Sequence, residues 1–268
     1  DISFDLPAKD FVELKKDDKL KLVSNPIGNG MYSLELNVKN PPFNNPKVRQ
    51  AIAYAMPYQK IIDAAMFGHA KPLFGGASNT VGSIDWPQPT GYKTDIAMAK
   101  KLMAESGVGP IESTISFDLG DAVNSEPMAV LIQESLAQIG IKLAINKVPG
   151  SNWRSEMAKK SMPMMINFFS GWLDYPEYFF FWCYSKLNAV FNTPSYVDPA
   201  MDAFIDGAYA AAAAGDKEKY ATDVKGFISK AYTDVPRVPI FQPYLNVAMQ
   251  KNISGYSYWF HRQVDYRS

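Results

Sequence analysis

The chain has 268 residues, 47% of them apolar, with 27 basic against 27 acidic side chains, enough to bury a substantial core as one large domain or two modest ones, and general disorder is excluded. No uncharged stretch exceeds thirteen residues, short of the roughly 18 apolar residues that a membrane-spanning helix needs. Zero net charge without a basic block argues against a nucleic-acid partner, which usually shows as clustered lysine and arginine.

In chain order, residues 1–4 read as a short strand, 8–16 as a helix and 20–23 as a strand. From Met31 to Val38, Tyr32, Leu34, Leu36 and Val38 alternate with Ser33, Glu35 and Asn37, the period of a half-buried strand. Asn45 then precedes Pro46 and the run KVRQAIAYAM, a cap residue ahead of a proline suited to a first helical turn. Pro57 opens a second helix, PYQKIIDAAMF, which Gly68 ends. Residues 69–93 read as a proline- and glycine-bearing irregular crossing, longer than ordinary connections of roughly 4 to 6 residues.

A helix is predicted over 95–105, a strand over 111–119, and a helix over 126–139 with Met128, Leu131, Ile132, Leu136 and Ile139 on one face and Gly140 as its stop. Ile141, Leu143 and Ile145 then alternate as a strand, giving the strand, helix, strand order of an α/β crossover. Ser151 caps a short helix through Lys159, residues 164–169 form an apolar strand, and 170–177 form a loop. One helix starts at Asp198 and Pro199 and buries Met201, Phe204 and Ile205; the next, after Gly215, buries Tyr220, Val224, Phe227 and Ile228. Residues 238–249 return to extended structure before an aromatic tail. There is no internal repeat.

Catalytic and metal-binding signals are missing from the sequence. His69 and His261 are its only histidines and stand in no metal-ligand spacing, and the single Cys183 excludes an intrachain disulfide and multi-cysteine metal sites. The nucleophile elbow, the P-loop and the dinucleotide-binding glycine fingerprint do not occur. The chain is therefore read as non-catalytic, with no metal or cofactor. Its start at Asp1, without a basic or apolar leader, leads to the expectation that any secretory signal was removed or lay further upstream.

The strongest local anomaly is residues 161–185, which hold 10 of the 36 aromatic residues but only two charges, Asp174 and Glu177. An unpaired carboxylate in such a setting is costly. One reading is a core segment whose acids serve the start of a helix near Pro176; the other is a pocket where a ligand ammonium meets Asp174 beside aromatic walls.

The string PPFNNPKVRQAIAYAMPYQKIIDAAMFGHAKP, with Phe43, Val48, Arg49, Ala51, Gly68, Ala70 and Pro72 in order, resembles the signature of the family 5 extracytoplasmic solute-binding proteins, the oligopeptide, dipeptide and nickel class of ABC importers. Tyr92 ahead of TDIAMAKKLMAESG, the segment SGWLDYP and the closing VDYR add to the resemblance, which spans essentially the whole chain. It implies an α/β fold of the periplasmic-binding-protein type II clamp, with one complete lobe plus part of the other. The expected division is 1–39 as the end of lobe I and hinge, 40–235 as lobe II, and 236–268 as the return to lobe I, the rest of lobe I lying in an N-terminal half of the same protein.

The resemblance also implies a function and a site. The function is a periplasmic receptor that closes on a small solute, a peptide or another amine-bearing compound, and presents it to an ABC permease in the inner membrane. Opines, sugars and nickel or haem complexes are alternatives, as is the ligand-sensing half of a transcription regulator. In peptide-binding members the aspartate of the D-Y-P motif pairs with the ligand amine, and the match falls on Asp174, although this chain has one residue fewer between Trp172 and that aspartate. Trp172, Tyr175, Trp153, Tyr32 and Phe169 complete the expected binding set, with ordinary core packing as the alternative for Tyr32 and Trp153. Arg154 and Lys160 are read as solvated surface residues, with contact to a carboxylate as the alternative. Phe169 and Ser170 stand where oligopeptide binders show an arginine.

Overall fold

The computed structural model describes residues 1–26, 30–72, 92–170, 176–188 and 190–258. The fold is organised around one long strand, β8 (Arg237–Gln250), to which four earlier strands pair antiparallel: β1 (Ile2–Ser3), β2 (Leu20–Pro26), β3 (Gly30–Leu36) and β4 (Ala70–Pro72). The sheet continues from β3 into the antiparallel β7 (Met164–Ser170). Beyond it lie β5 (Ile111–Asp118) and β6 (Ile141–Val148), which run parallel to each other and to β7, in the order β1-β8-β3-β7-β5-β6.

Helices cover both faces. On one side, α2 (Pro46–Ala55), α3 (Tyr58–Ala64), α4 (Ile96–Ser106) and α5 (Ala122–Ala137) pack on Leu34, Leu36, Ile115, Phe117, Ile166 and Ile240 to make the main core. On the other, Met31 joins a second core with α7 (Pro176–Tyr184), α8 (Pro199–Ala214) and α9 (Lys217–Asp234). Between them in sequence, α6 (Gly150–Lys159) carries Trp153 and Met157 into a small cluster with Val148, Met162 and Met165. Helix α1 (Ala8–Leu14) precedes all of these.

Local chemistry sets the helix starts. The side chains of Asn45, Asp95, Asp198 and Asp216 each accept a backbone N–H from the first turn of the helix they precede, satisfying donors that have no intrahelical partner. Glycine sets the close approach of α8 to α9: a Cβ on Gly226 would lie 2.6 Å from the Phe204 ring, and one on Gly207 would lie 2.5 Å from Asp223 Oδ2.

Three expectations are corrected. Strand β3 is buried along its whole length instead of on one face, since the second helical layer covers Ser33 and Glu35. Alternation of polar and apolar residues marks two different environments, and here the polar side meets Arg237 and Asn167 in place of water. Helix α5 starts at Ala122, after one short turn over Leu119–Asp121, and ends at Ala137, so Pro127 sits inside it and not in the first turn. The carbonyl that Pro127 leaves without an N–H belongs to Val123, an exposed residue that water can serve. The crossing after Gly68 begins with a strand, β4, paired to Pro243, Gln242 and Phe241; residues 73–91 of that crossing lie outside the described residues.

The first and last described segments lie together. Ile2 pairs with Met249, Leu20 with Gln250 and Pro26 with Tyr244, the Leu6 N–H donates to Asn246 O at 3.0 Å, and Phe4 meets Tyr256 with ring centroids 6.1 Å apart. Leu245, Val247 and Met249 gather a small core of their own with Ile2, Val23 and Tyr256.

Where β8 crosses β3, Glu35 and Arg237 are register partners and form an ion pair in which both side chains are 1% exposed. Arg237 also donates to the carbonyls of Cys183 and Phe191 at 3.3 and 3.0 Å, and Glu35 accepts from Asn167 on β7 at 3.1 Å. Removing one partner leaves the other charge buried and unpaired, which costs about 3 to 5 kcal/mol. Arg237→Met is therefore expected to destabilise the fold by that amount. Glu35→Leu in the same chain should recover only part of it, because the Cys183 and Phe191 carbonyls stay without their donor. Denaturant melts of the two variants check both expectations.

A candidate solute cleft at the carboxyl ends of the parallel strands

Strands β5, β6 and β7 all end on one side of the sheet, and the turn into α5 and the start of α6 lie at those ends. In open α/β sheets this is where ligands bind, because the loops there leave a crevice walled by helix N-termini. Two adjoining cavities occupy it, of about 290 and 340 Å³. Tyr32, Asp121 and Phe168 line both and form the wall they share.

The strand register builds that wall. Tyr32 lies opposite Phe168 on β7 and Phe241 on β8, and its ring sits between theirs at centroid distances of 4.8 and 4.9 Å. The stack buries Tyr32 while directing its hydroxyl to the α5 turn, where it donates to Asp121 Oδ1 at 3.1 Å and accepts from Asn124 Nδ2 at 3.2 Å. Asn124 also donates to Asp121 Oδ1 at 2.8 Å, and the Ser125 hydroxyl donates to Oδ2 at 2.5 Å. Burial pushes the Asp121 carboxyl above its ordinary pKa against the opposing pull of these bonds, and nearby Asp118 adds to the rise. Burial, helped by Asp121, raises the Tyr32 phenol well above its ordinary value.

The first cavity lies toward β8, between the start of the chain and the sheet, with Asp5, Met66, Asn124, Tyr244 and Asn246 among its lining. The second lies toward α6 and is lined by Trp153, Arg154, Met157, Asn167, Phe169 and Phe191. Gly150 lets α6 come close to the α5 turn, since a Cβ there would stand 3.2 Å from Asp118 Oδ1.

Of the residues expected from sequence, Tyr32, Trp153 and Phe169 therefore meet at this cleft. Trp153 and Tyr32 are also core residues, 7% and 6% exposed, so packing and lining are one role here. Phe169 is half-buried and meets Phe179 and Phe191 edge-on. Trp172, Asp174 and Tyr175 lie outside the described residues, as do His261 and the closing VDYR. Sequence reasoning missed Asp121, Asn124 and Phe168; a polar turn after a strand that proves parallel, at 118–121, was the available signal. Among the described residues no group of three or more His, Cys, Asp or Glu is placed to hold a metal, and no helix is long and apolar enough to cross a membrane.

Known proteins share this fold. The periplasmic binding protein DppA of Helicobacter pylori, solved with the peptide STSA, superposes with a TM-score of 0.81 at 22% identity over 95% of this chain and 49% of that one. AgaA from A. tumefaciens R10, solved with agropinic acid, gives 0.81 at 25% identity over 95% and 52%. The mixed α/β fold is thus that of a type II periplasmic binding protein, present here in part. The sequence profile described as bacterial extracellular solute-binding proteins, family 5, middle, matches residues 1–191, and the chain belongs to that family. A curated relative, the glutathione-binding protein GsiB of Pectobacterium atrosepticum, is 27% identical over 262 residues, 95% of this chain and 50% of its own length. The chain spans about half the length of the curated relatives it matches.

Tyr32→Phe keeps the ring stack and removes one donor from Asp121. A hydrogen bond to the charged form lowers a carboxyl pKa, so its loss should move the Asp121 titration still higher, as read by carboxyl-carbon NMR. Stability should fall by only about 0.5 to 1.5 kcal/mol, the usual net contribution of one hydrogen bond.

Proposed function

We propose that the full-length protein is the solute-binding component of an ABC importer, working in the periplasm, and that it closes two lobes on a peptide or another amine-bearing solute before presenting it to a permease in the inner membrane. Residues 40–235 act as the binding lobe, and 1–39 with 236–268 act as the hinge and the joining part of the other lobe, which the remaining N-terminal half completes. The observation that carries this reading is the aromatic-walled cleft, holding a carboxylate, at the carboxyl ends of β5 and β7. Family membership supports it, as do relatives whose names and titles record glutathione and peptides as their ligands. Binding and closure, not turnover, are then the whole activity.

In this reading Asp174 pairs with the solute amine, while Trp172, Tyr175, Trp153, Tyr32 and Phe169 supply apolar contact. A charge pair desolvated by closure is expensive to break, at about 2 to 5 kcal/mol. Asp174→Asn in the full-length protein is expected to weaken peptide binding by that amount. Trp172→Ala should weaken it with little dependence on salt, since only apolar contact is lost. Calorimetric titration at two ionic strengths separates the two effects. Unchanged affinity in Asp174→Asn would contradict an amine at that point and favour an anionic opine or a neutral sugar held by the rings.

A further inference from the structure

Asp121 stands immediately ahead of α5, where an aspartate ordinarily accepts N–H bonds from the first turn. Its side chain makes no such bond. It turns instead to the shared wall of the cleft, held there by Tyr32, Asn124 and Ser125, all of them neutral donors. Unlike the exposed carboxylates paired with Lys47, Lys60 or Lys147, it has no lysine or arginine within ion-pair distance among the described residues. The described surroundings therefore orient a carboxylate at the cleft wall without a cationic partner.

In the cavity toward β8 the described lining carries only acidic charge. Its described lining includes Asp5 and Asp121 and no basic residue; Arg154 lines only the cavity toward α6 and is exposed there. Phe168, half-buried, offers the same cavity an aromatic wall next to the carboxylate. A fixed carboxylate beside an aromatic ring in a space of about 290 Å³ suits a cation on a short apolar stem, whose charge meets the carboxylate while its stem and charge both contact the ring.

We infer that the cavity toward β8 is a subsite for a cationic group of the solute, an ammonium or guanidinium paired with Asp121 and lying along Phe168. It is separate from the amine contact assigned to Asp174. The substrate class is accordingly narrowed to solutes with a second cationic group, such as peptides bearing lysine or arginine. The inference rests on the solute-capture reading.

The test uses full-length protein and a panel of dipeptides headed by glycine, alanine or leucine and ending in lysine or norleucine. The two endings share a four-carbon stem and differ by the side-chain ammonium, so any contact to the α-amino group is common to both. Calorimetry with wild type should show the lysine peptides bound at least about tenfold more tightly. Asp121→Asn should bring the two series to within about twofold, and Asp121→Glu, which restores the charge, should recover a preference. Equal affinity of both series for wild type, or a preference that survives Asp121→Asn, would overturn the cation subsite and leave peptide capture standing. Binding of neither series would contradict peptide capture itself, and the subsite with it.

Discussion

The fold depends on a pair of charges that water does not reach. Glu35 and Arg237 face each other where β3 crosses β8, and Arg237 is among the largest fully buried side chains of the chain. Among the described residues Glu35 Oε2 and Arg237 Nε have no hydrogen-bond partner, so the pair is a poor source of net stability compared with apolar packing of the same volume. What it supplies is register. A one-residue slip of β3 would drive Glu35 into the apolar layer under α2 and α5, and Asn167 extends the same constraint to β7. Arg237, through the Cys183 and Phe191 carbonyls, also ties the second helical layer to the sheet.

The cleft inherits that register. With Glu35 fixed opposite Arg237, a register shift between Tyr32 and Ser33 brings Tyr32 opposite Phe241 instead of Ile240, and Phe168 flanks it on β7, so that its hydroxyl reaches the α5 turn. Asp121 then gains a third side-chain donor beside Asn124 and Ser125 of its own helix. A charge pair in the sheet thus helps to position a carboxylate at the cleft wall, through a stack of three aromatic rings. The half-exposed end of that stack, Phe168, lies on the cleft side.

Much of this order was legible in the sequence where the signals are local. Asn45 with Pro46, Asp95, and Asp198 with Pro199 announced helix starts that the structure reproduces, and the string from Pro41 to Pro72 resembled the family to which the chain belongs. What escaped depends on distant partners. Alternation along β3 reads as one wet face because nothing near Glu35 in sequence hints at Arg237, 202 residues away. The helix expected over 126–139 begins earlier, at Ala122, because the short turn over Leu119–Asp121 leads straight into it and Pro127 is accommodated inside. Nothing near Asp121 in sequence marks it as a wall residue; the phenol that helps to hold it belongs to Tyr32, 89 residues away. The aromatic anomaly was real, but its described members divide between the second core, as with Phe179 and Phe180, and the cleft, as with Phe168 and Phe169.

The central claim is that solute is held at the carboxyl ends of the parallel strands, against the α5 turn and β7. Hydrogen exchange on the full-length protein, with and without a mixed pool of dipeptides and tripeptides, tests it directly, since amides in contact with a closed cleft exchange more slowly. The account predicts that added peptides slow exchange at residues 119–125, 150–157 and 166–170, with no comparable change along α8 and α9. Protection confined to α8 and α9, or none at these three segments when binding is saturated, would contradict it.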